Sequence, residues 1–202
     1  MRMIDLSRAL ALIACSAAPL AAQATPAAPK APAPPPAPAA PALSADQRAA
    51  LIKSALSAAP ANIAEHAAVM TMTPDGKMVQ LREGTNGFTC FPDDPSTPGP
   101  DPACADAEAM KWFDSYMAHA PKAANTAPGI VYMLAGGSDP SNTDPYAKPG
   151  PDTKWVNTPP HWMILWPFDP ATSGIPATPK TSGTFIMFAG TPWAHLMVVG
   201  AP

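Results

Sequence analysis

Charge is what this sequence has least of. Only 13% of its 202 residues are Asp, Glu, Lys or Arg, against roughly a quarter in ordinary globular domains. The formal net charge is -3, and Lys and Arg cluster nowhere. That excludes the basic footprint of nucleic-acid binding and a polybasic patch for anionic lipid. Cysteine is scarce as well, with three in the whole chain and no CxxC spacing, so neither a disulfide-dense miniprotein nor a zinc ribbon fits. No apolar run reaches the ~20 residues that cross a bilayer, so no transmembrane segment is expected in the mature form. Catalytic signatures are missing too: there is no GxSxG elbow, HExxH, P-loop or Rossmann glycine pattern. Ser, His and Asp are present, but a triad is defined by geometry. A hydrolase without a recognisable motif therefore stays open behind a non-catalytic role.

Proline is abundant instead, with 30 in the chain, and its distribution divides the sequence. Residues 1–24 begin with Arg2 and Arg8, continue through the small-to-apolar run Ala9–Leu20, and end on Ala22-Gln23-Ala24. This is the layout of a cleavable signal peptide, with Ala22 and Ala24 at the small-x-small cleavage site. Leu12-Ile13-Ala14-Cys15 resembles a lipobox, and lipidation at Cys15 is the alternative. The run before it, however, is shorter than the ~7–15 residues of a signal core. Residues 25–43, TPAAPKAPAPPPAPAAPAL, hold eight prolines among alanines. They read as a disordered, extended linker of up to about 60 Å at ~3.1 Å per residue. Residues 44–202 are left as one globular domain. The expected location is the periplasm or the exterior, or the membrane surface if Cys15 is lipidated.

Within 44–202, Ser44 and Gln47 form a capping-box pattern. Leu51, Ile52, Ala55, Leu56 and Ala59 follow at helical spacing until Pro60. Strand-like segments come next: Ala68–Met72, Met78–Arg82 and Phe88–Phe91, separated by Pro74-Asp75-Gly76 and Asn86-Gly87, which are turn sequences because Gly accepts and Asn tolerates positive φ. A small antiparallel meander is expected there. A second helix is expected to start with Asp101 as cap and Pro102 at its first position, with Trp112, Phe113, Tyr116 and Met117 as its buried stripe. The last third carries the most apolar strands, Gly129–Leu134, His161–Trp166, Thr184–Phe188 and Ala194–Val199. Apolar residues on both faces of each place them in the middle of a covered sheet. The predicted class is α+β: a largely antiparallel sheet, two helices packed on it, many loops and one disulfide.

That disulfide is Cys90–Cys104, the pair left once the targeting segment is gone. An oxidising compartment favours the bond over two thiolate metal ligands.

The candidate site is a repeated triplet, His161-Trp162-Met163 and His195-Leu196-Met197. In each, His and Met share a strand face. If the two strands were neighbours, two imidazoles and two thioethers would form a soft N2S2 set suited to copper as Cu(I). Periplasmic copper carriers use comparable ligands, and the similarity covers these four residues only. The competing reading is that both Met fill the core and both His sit at strand ends, bonded to backbone or solvent. The oxygen-rich loop Gly136–Asp144 lacks the EF-hand glycine and terminal Glu, and reads as an Asx- and Ser-stabilised turn. Asp93, Asp94 and Asp101 read as a solvated acidic loop or a weak cation site, and His66 and His119 as surface residues.

The phrases LREGTNGFTCFPD, YMLAGGSDPSNTDP and GTPWAHLMV resemble an uncharacterised family of secreted bacterial proteins over most of residues 60–200. The resemblance implies export and a single domain, and assigns no activity, cofactor or site residue. The expected function is an exported envelope or secreted domain with a binding or structural role; the alternative is a periplasmic copper-binding protein. Ligand, substrate and partner are not written in the sequence.

Overall fold

Ser44 opens the folded chain by closing its capping box. Its hydroxyl accepts from Gln47 N at 3.2 Å, and Gln47 Oε1 accepts from Ser44 N at 2.9 Å. Helix α1 then runs Ala45–Leu56. The computed structural model describes residues 43–73 and 76–200. The targeting segment with Ala22, Ala24 and Cys15, nearly all of the linker, and the turn residues Pro74 and Asp75 fall outside the described residues. The first helix ends at Leu56 with Ser57 as its C-cap, and Pro60 starts a single turn, α2 (Ala61–Ala64).

The strands follow as β1 (Ala68–Met72), β2 (Met78–Arg82), β3 (Thr89–Phe91) and β4 (Ala103–Ala105). Helix α3 (Ala107–Met117) comes next, then β5 (Gly129–Met133), β6 (Gly137–Asp139), β7 (Val156–Thr158) and β8 (His161–Leu165). A short helix α4 (Pro170–Ser173) precedes β9 (Gly183–Met187) and β10 (His195–Val199). Eight strands form one sheet in the order β2-β1-β3-β4-β5-β8-β10-β9, while β6 and β7 pair separately. Among the described residues all but one of the strand pairings are antiparallel, so the architecture is α+β as expected.

Several local expectations are corrected: α1 ends at Leu56 rather than running to Pro60, Met117 is 63% exposed rather than part of the buried stripe of α3, and β9, expected mid-sheet, is an edge strand. The first three strands are not a meander: β3 lies on the far side of β1 from β2 and runs parallel to it. The connection doubles back tightly, since a Cβ on Gly84 would meet Ala68 N at 2.0 Å. Asn86 fixes the return by donating to Ile63 O and accepting from Phe88 N. The second helix begins at Asp106, not Asp101. Residues 103–105 are drawn into the sheet, with Cys104 directly opposite Cys90. Asp106 then caps α3, accepting from Ala109 N at 2.8 Å and, with its other oxygen, from Ile130 N at 3.0 Å.

The two helices cover opposite faces. Adjacent residues of a strand point to opposite sides, and β4 pairs Cys104 with Tyr132 and Ala105 with Val131. Ala105 and Val131 belong to the core under α3 with Trp112, Met163, Leu165, Phe185 and Met197. Cys104 belongs to the core under α1 and α2 with Ala55, Ala58, Val69, Leu81 and Cys90. Strand β8 is central but only one of its faces is sealed: His161, Met163 and Leu165 are buried, Trp162 and Ile164 half-buried, and the following Trp166 is exposed. The disulfide joins Cys90 and Cys104 and so staples two neighbouring strands where α1 rests on them.

Two stability outcomes follow. Replacing Cys90 and Cys104 together by Ala should cost about 3 kcal/mol in urea unfolding, the chain-entropy value for a 15-residue loop. Gly129→Ala should cost about 1–3 kcal/mol, because a Cβ there would lie 2.4 Å from Ala109 N, backbone that only a shift of α3 can move.

Candidate functional site

The four triplet residues lie on the α3 side of the sheet, on adjacent strands as the copper reading requires, but the strands are antiparallel. Met197 therefore opposes Met163, and Val199 opposes His161. Two His-x-Met triplets laid antiparallel bring sulfur to sulfur and send the imidazoles to opposite ends. With a rise of ~3.4 Å per residue and ~4.8 Å between strands, the two histidine Cα atoms are roughly 14 Å apart. Two nitrogens on one ion lie within about 4 Å of each other. The quartet His161, Met163, His195 and Met197 thus does not close on a single centre, and Met197, 1% exposed, is core. Among the described residues, no group of three or more His, Cys, Asp or Glu is placed to hold a metal.

The register makes different partners instead. Met133 of β5 lies opposite His161, and Met187 of β9 lies opposite His195. Both pairs line a cavity of about 220 Å³ between sheet and α3. Met163 and Leu165 line it from β8, and Trp112, Phe113 and Tyr116 from α3; Asp101, Ala103, Ser138, Asp139 and Phe188 complete it. Its walls are mainly apolar with a few polar groups, and its volume lies below the ~300–1,000 Å³ of ordinary small-molecule sites. A second cavity, about 240 Å³, is bounded by residues 98–100, 135–138 and 157–159 and has no titratable side chain in its lining.

Each histidine is anchored identically. His161 Nδ1 is 2.9 Å from Pro159 O, and His195 Nδ1 is 2.9 Å from Trp193 O. A carbonyl only accepts, so Nδ1 carries the proton in both rings and Nε2 presents a lone pair. His195 sits edge-on to Trp112 at 5.7 Å and to Phe188 at 5.5 Å. Its Nε2 is buried with no hydrogen-bond partner. Burial pushes its pKa down to about 4, opposed by the bond to Trp193 and assisted by His161. Burial also lowers that of His161. Both rings are neutral at pH 7. The strand-end reading holds for the backbone bonds but not for solvent: His161 is 2% and His195 3% exposed.

Asp139 is the residue that sequence reasoning missed. The loop expected over Gly136–Asp144 begins as strand β6, which turns Asp139 inward. Burial, and then the charge of Asp101, push its pKa up to about 6. Only the rest of the loop is the expected turn, with Ser141 Oγ accepting from Thr143 N and Asp144 N. Asp93 and Asp101 accept from each other's neighbourhood: Asp93 Oδ1 takes Asp101 N, and Asp101 Oδ1 takes Asp94 N. This acidic loop is internally bonded, and burial raises the Asp101 pKa ahead of its hydrogen bonds. Ser138 Oγ donates to Asn157 Oδ1 at 2.9 Å, not to an imidazole. His66 is exposed, and His119, just past α3 with φ 51, stacks on Tyr146 at 4.2 Å.

Comparison of the chain with protein-family models, with curated proteins and with solved structures finds no match.

The cavity's titration has opposing parts. His195 stays neutral in the fold while the unfolded chain gains a proton below 6.5, so its contribution to stability is lost as pH falls from 6.5 to about 4. Asp139 holds a proton in the fold that the unfolded chain releases above 3.8, so its contribution is lost as pH rises from 3.8 to about 6. Each is worth on the order of 3 kcal/mol. The wild type should show little net slope from these two groups between pH 4 and 6. Asp139→Asn should be more stable than wild type at pH 7 and, on acidification from 6.5 to 4, lose about 3 kcal/mol through His195 and a further amount through His161, whose pKa burial also lowers. Urea midpoints across that range check it; a variant curve parallel to wild type would reject the role given to Asp139.

Proposed function

We propose that this chain is an exported, non-catalytic binding domain whose ligand occupies the cavity between α3 and strands β5, β8, β10 and β9. The observation that carries the reading is His195, a cavity-lining ring of fixed tautomer whose Nε2 is buried and has no hydrogen-bond partner. A buried acceptor left unpaired costs ~1–3 kcal/mol, and a ligand that brings a donor or another electron-pair acceptor recovers it. The aromatic and thioether walls fit an apolar body, and Asp139 offers a second polar contact. Ser138 is committed to Asn157, which leaves the cavity without a serine–imidazole pair and disfavours the hydrolase reading.

Export is supported by the signal-peptide layout of residues 1–24 and by a disulfide of the kind that persists in oxidising compartments. Residues 25–43 serve as the spacer. The site of residence is the periplasm or the exterior, with anchoring through Cys15 as the alternative.

A panel of small aromatic alcohols and amines, screened by ligand-observed NMR, tests the binding reading. Binders should shift the methyl signals of Met163 and Met187, and the cavity-filling variant Ala103→Leu should abolish those shifts. Binders that shift only residues remote from the cavity, or that bind Ala103→Leu equally, would refute it.

A further inference from the structure

We propose that the cavity's ligand is a soft monovalent metal ion, Cu(I) or its analogue Ag(I), held by His195 Nε2 with the thioethers of Met187 and Met163. This rests on the reading of the cavity as a binding site and names the ligand's chemistry. The set is distinct from the triplet quartet, because the antiparallel register that separates the two imidazoles sets Met187 directly across from His195. Directly opposed residues on one face have Cβ atoms ≈ 4.5–5.5 Å apart, and diagonal ones ≈ 7–8 Å, still within reach of a long side chain. Met163 is diagonal to His195, one pair along from the end of the β8–β10 register. All three line the same cavity.

Three further features suit a soft ion. The Nδ1–H bond to Trp193 O is the outer contact that metal-binding imidazoles make, fixing the ring and leaving Nε2 as the donor atom. Thioethers with imidazole select Cu(I) over harder ions. Zn(II) in a structural site takes four N, O or S ligands, mostly Cys and His, and the described residues gather no three of His, Cys, Asp or Glu. The carboxyl groups of Asp101 and Asp139 line the same cavity and supply counter-charge for an enclosed cation.

The disulfide-bonded protein is titrated anaerobically with Cu(I) against a chromophoric chelator. In parallel it is titrated with Ag(I), observed through the methionine methyl and His195 Cε1 signals. We expect one equivalent to bind, with Met187, Met163 and His195 shifting together. Met187→Leu and Met163→Leu keep the core volume, so the fold should persist, and each should weaken binding at least about tenfold. Met117→Leu, at a site 63% exposed, should bind as wild type does. Zn(II) should not displace the bound ion. No Cu(I) bound above background, or unchanged affinity in both cavity variants, overturns the proposal. If organic probes still shift the Met163 and Met187 methyls in that event, only the metal assignment falls; if they do not, the binding site falls with it.

Discussion

The antiparallel register of β5, β8, β10 and β9 is the constraint from which the rest of the site follows. It sets Met133 against His161, Met163 against Met197 and Met187 against His195, and strand alternation places all of them on the side that α3 covers. A shift of one residue would turn this whole set toward the opposite, half-open face. The core under α3 resists such a slip. Phe185, Met187, Met163, Leu165, Met197 and Val199 are all less than a tenth exposed, and moving them out of contact with Trp112 and Trp193 would forfeit about 1.5–3 kcal/mol for each large side chain.

The rest of the fold holds that register from outside. Asp106 ties the start of α3 to β5 through Ile130 N, and Glu108 accepts from the amides of Thr126 and Ala127 just ahead of β5. The hydroxyl of Tyr116 donates to Pro145 O, and its ring stacks between Trp112 and Tyr146. At the other end of the sheet, on the reverse face, α1 and α2 close a separate core around the Cys90–Cys104 bond. Helices on opposite faces leave a stretch of the reverse face near Trp162 and Ile164 less covered, and the cavity forms only where α3 meets the sheet.

What the sequence made legible was local. The Ser44 cap, the strand segments, the cysteine pair and the shared face of each His-x-Met triplet depend on neighbours a few residues apart. The parallel placement of β3, the late start of α3 and the partners of the two histidines depend on which strand lies beside which. Pairing is set by packing of distant segments. Asp139 shows the limit most clearly: Gly-Gly-Ser-Asp-Pro has the composition of a surface turn, yet pairing of β6 with β7 carries the carboxyl inward. Met187 carried no signal beyond its place on an apolar strand until β9 was set beside β10. In the triplets, the residue types were informative and the direction of the strands decided what they met.

The site depends on His195 being a neutral ring, protonated at Nδ1 and bare at Nε2, inside the fold. Nitrogen-15 chemical shifts of its imidazole across pH 3.5–8 measure this directly. The expected result is an Nδ1–H tautomer, an unprotonated Nε2 and a midpoint at about 4. A ring protonated at Nε2, or one that titrates near 6.5 as a solvated histidine does, would contradict it.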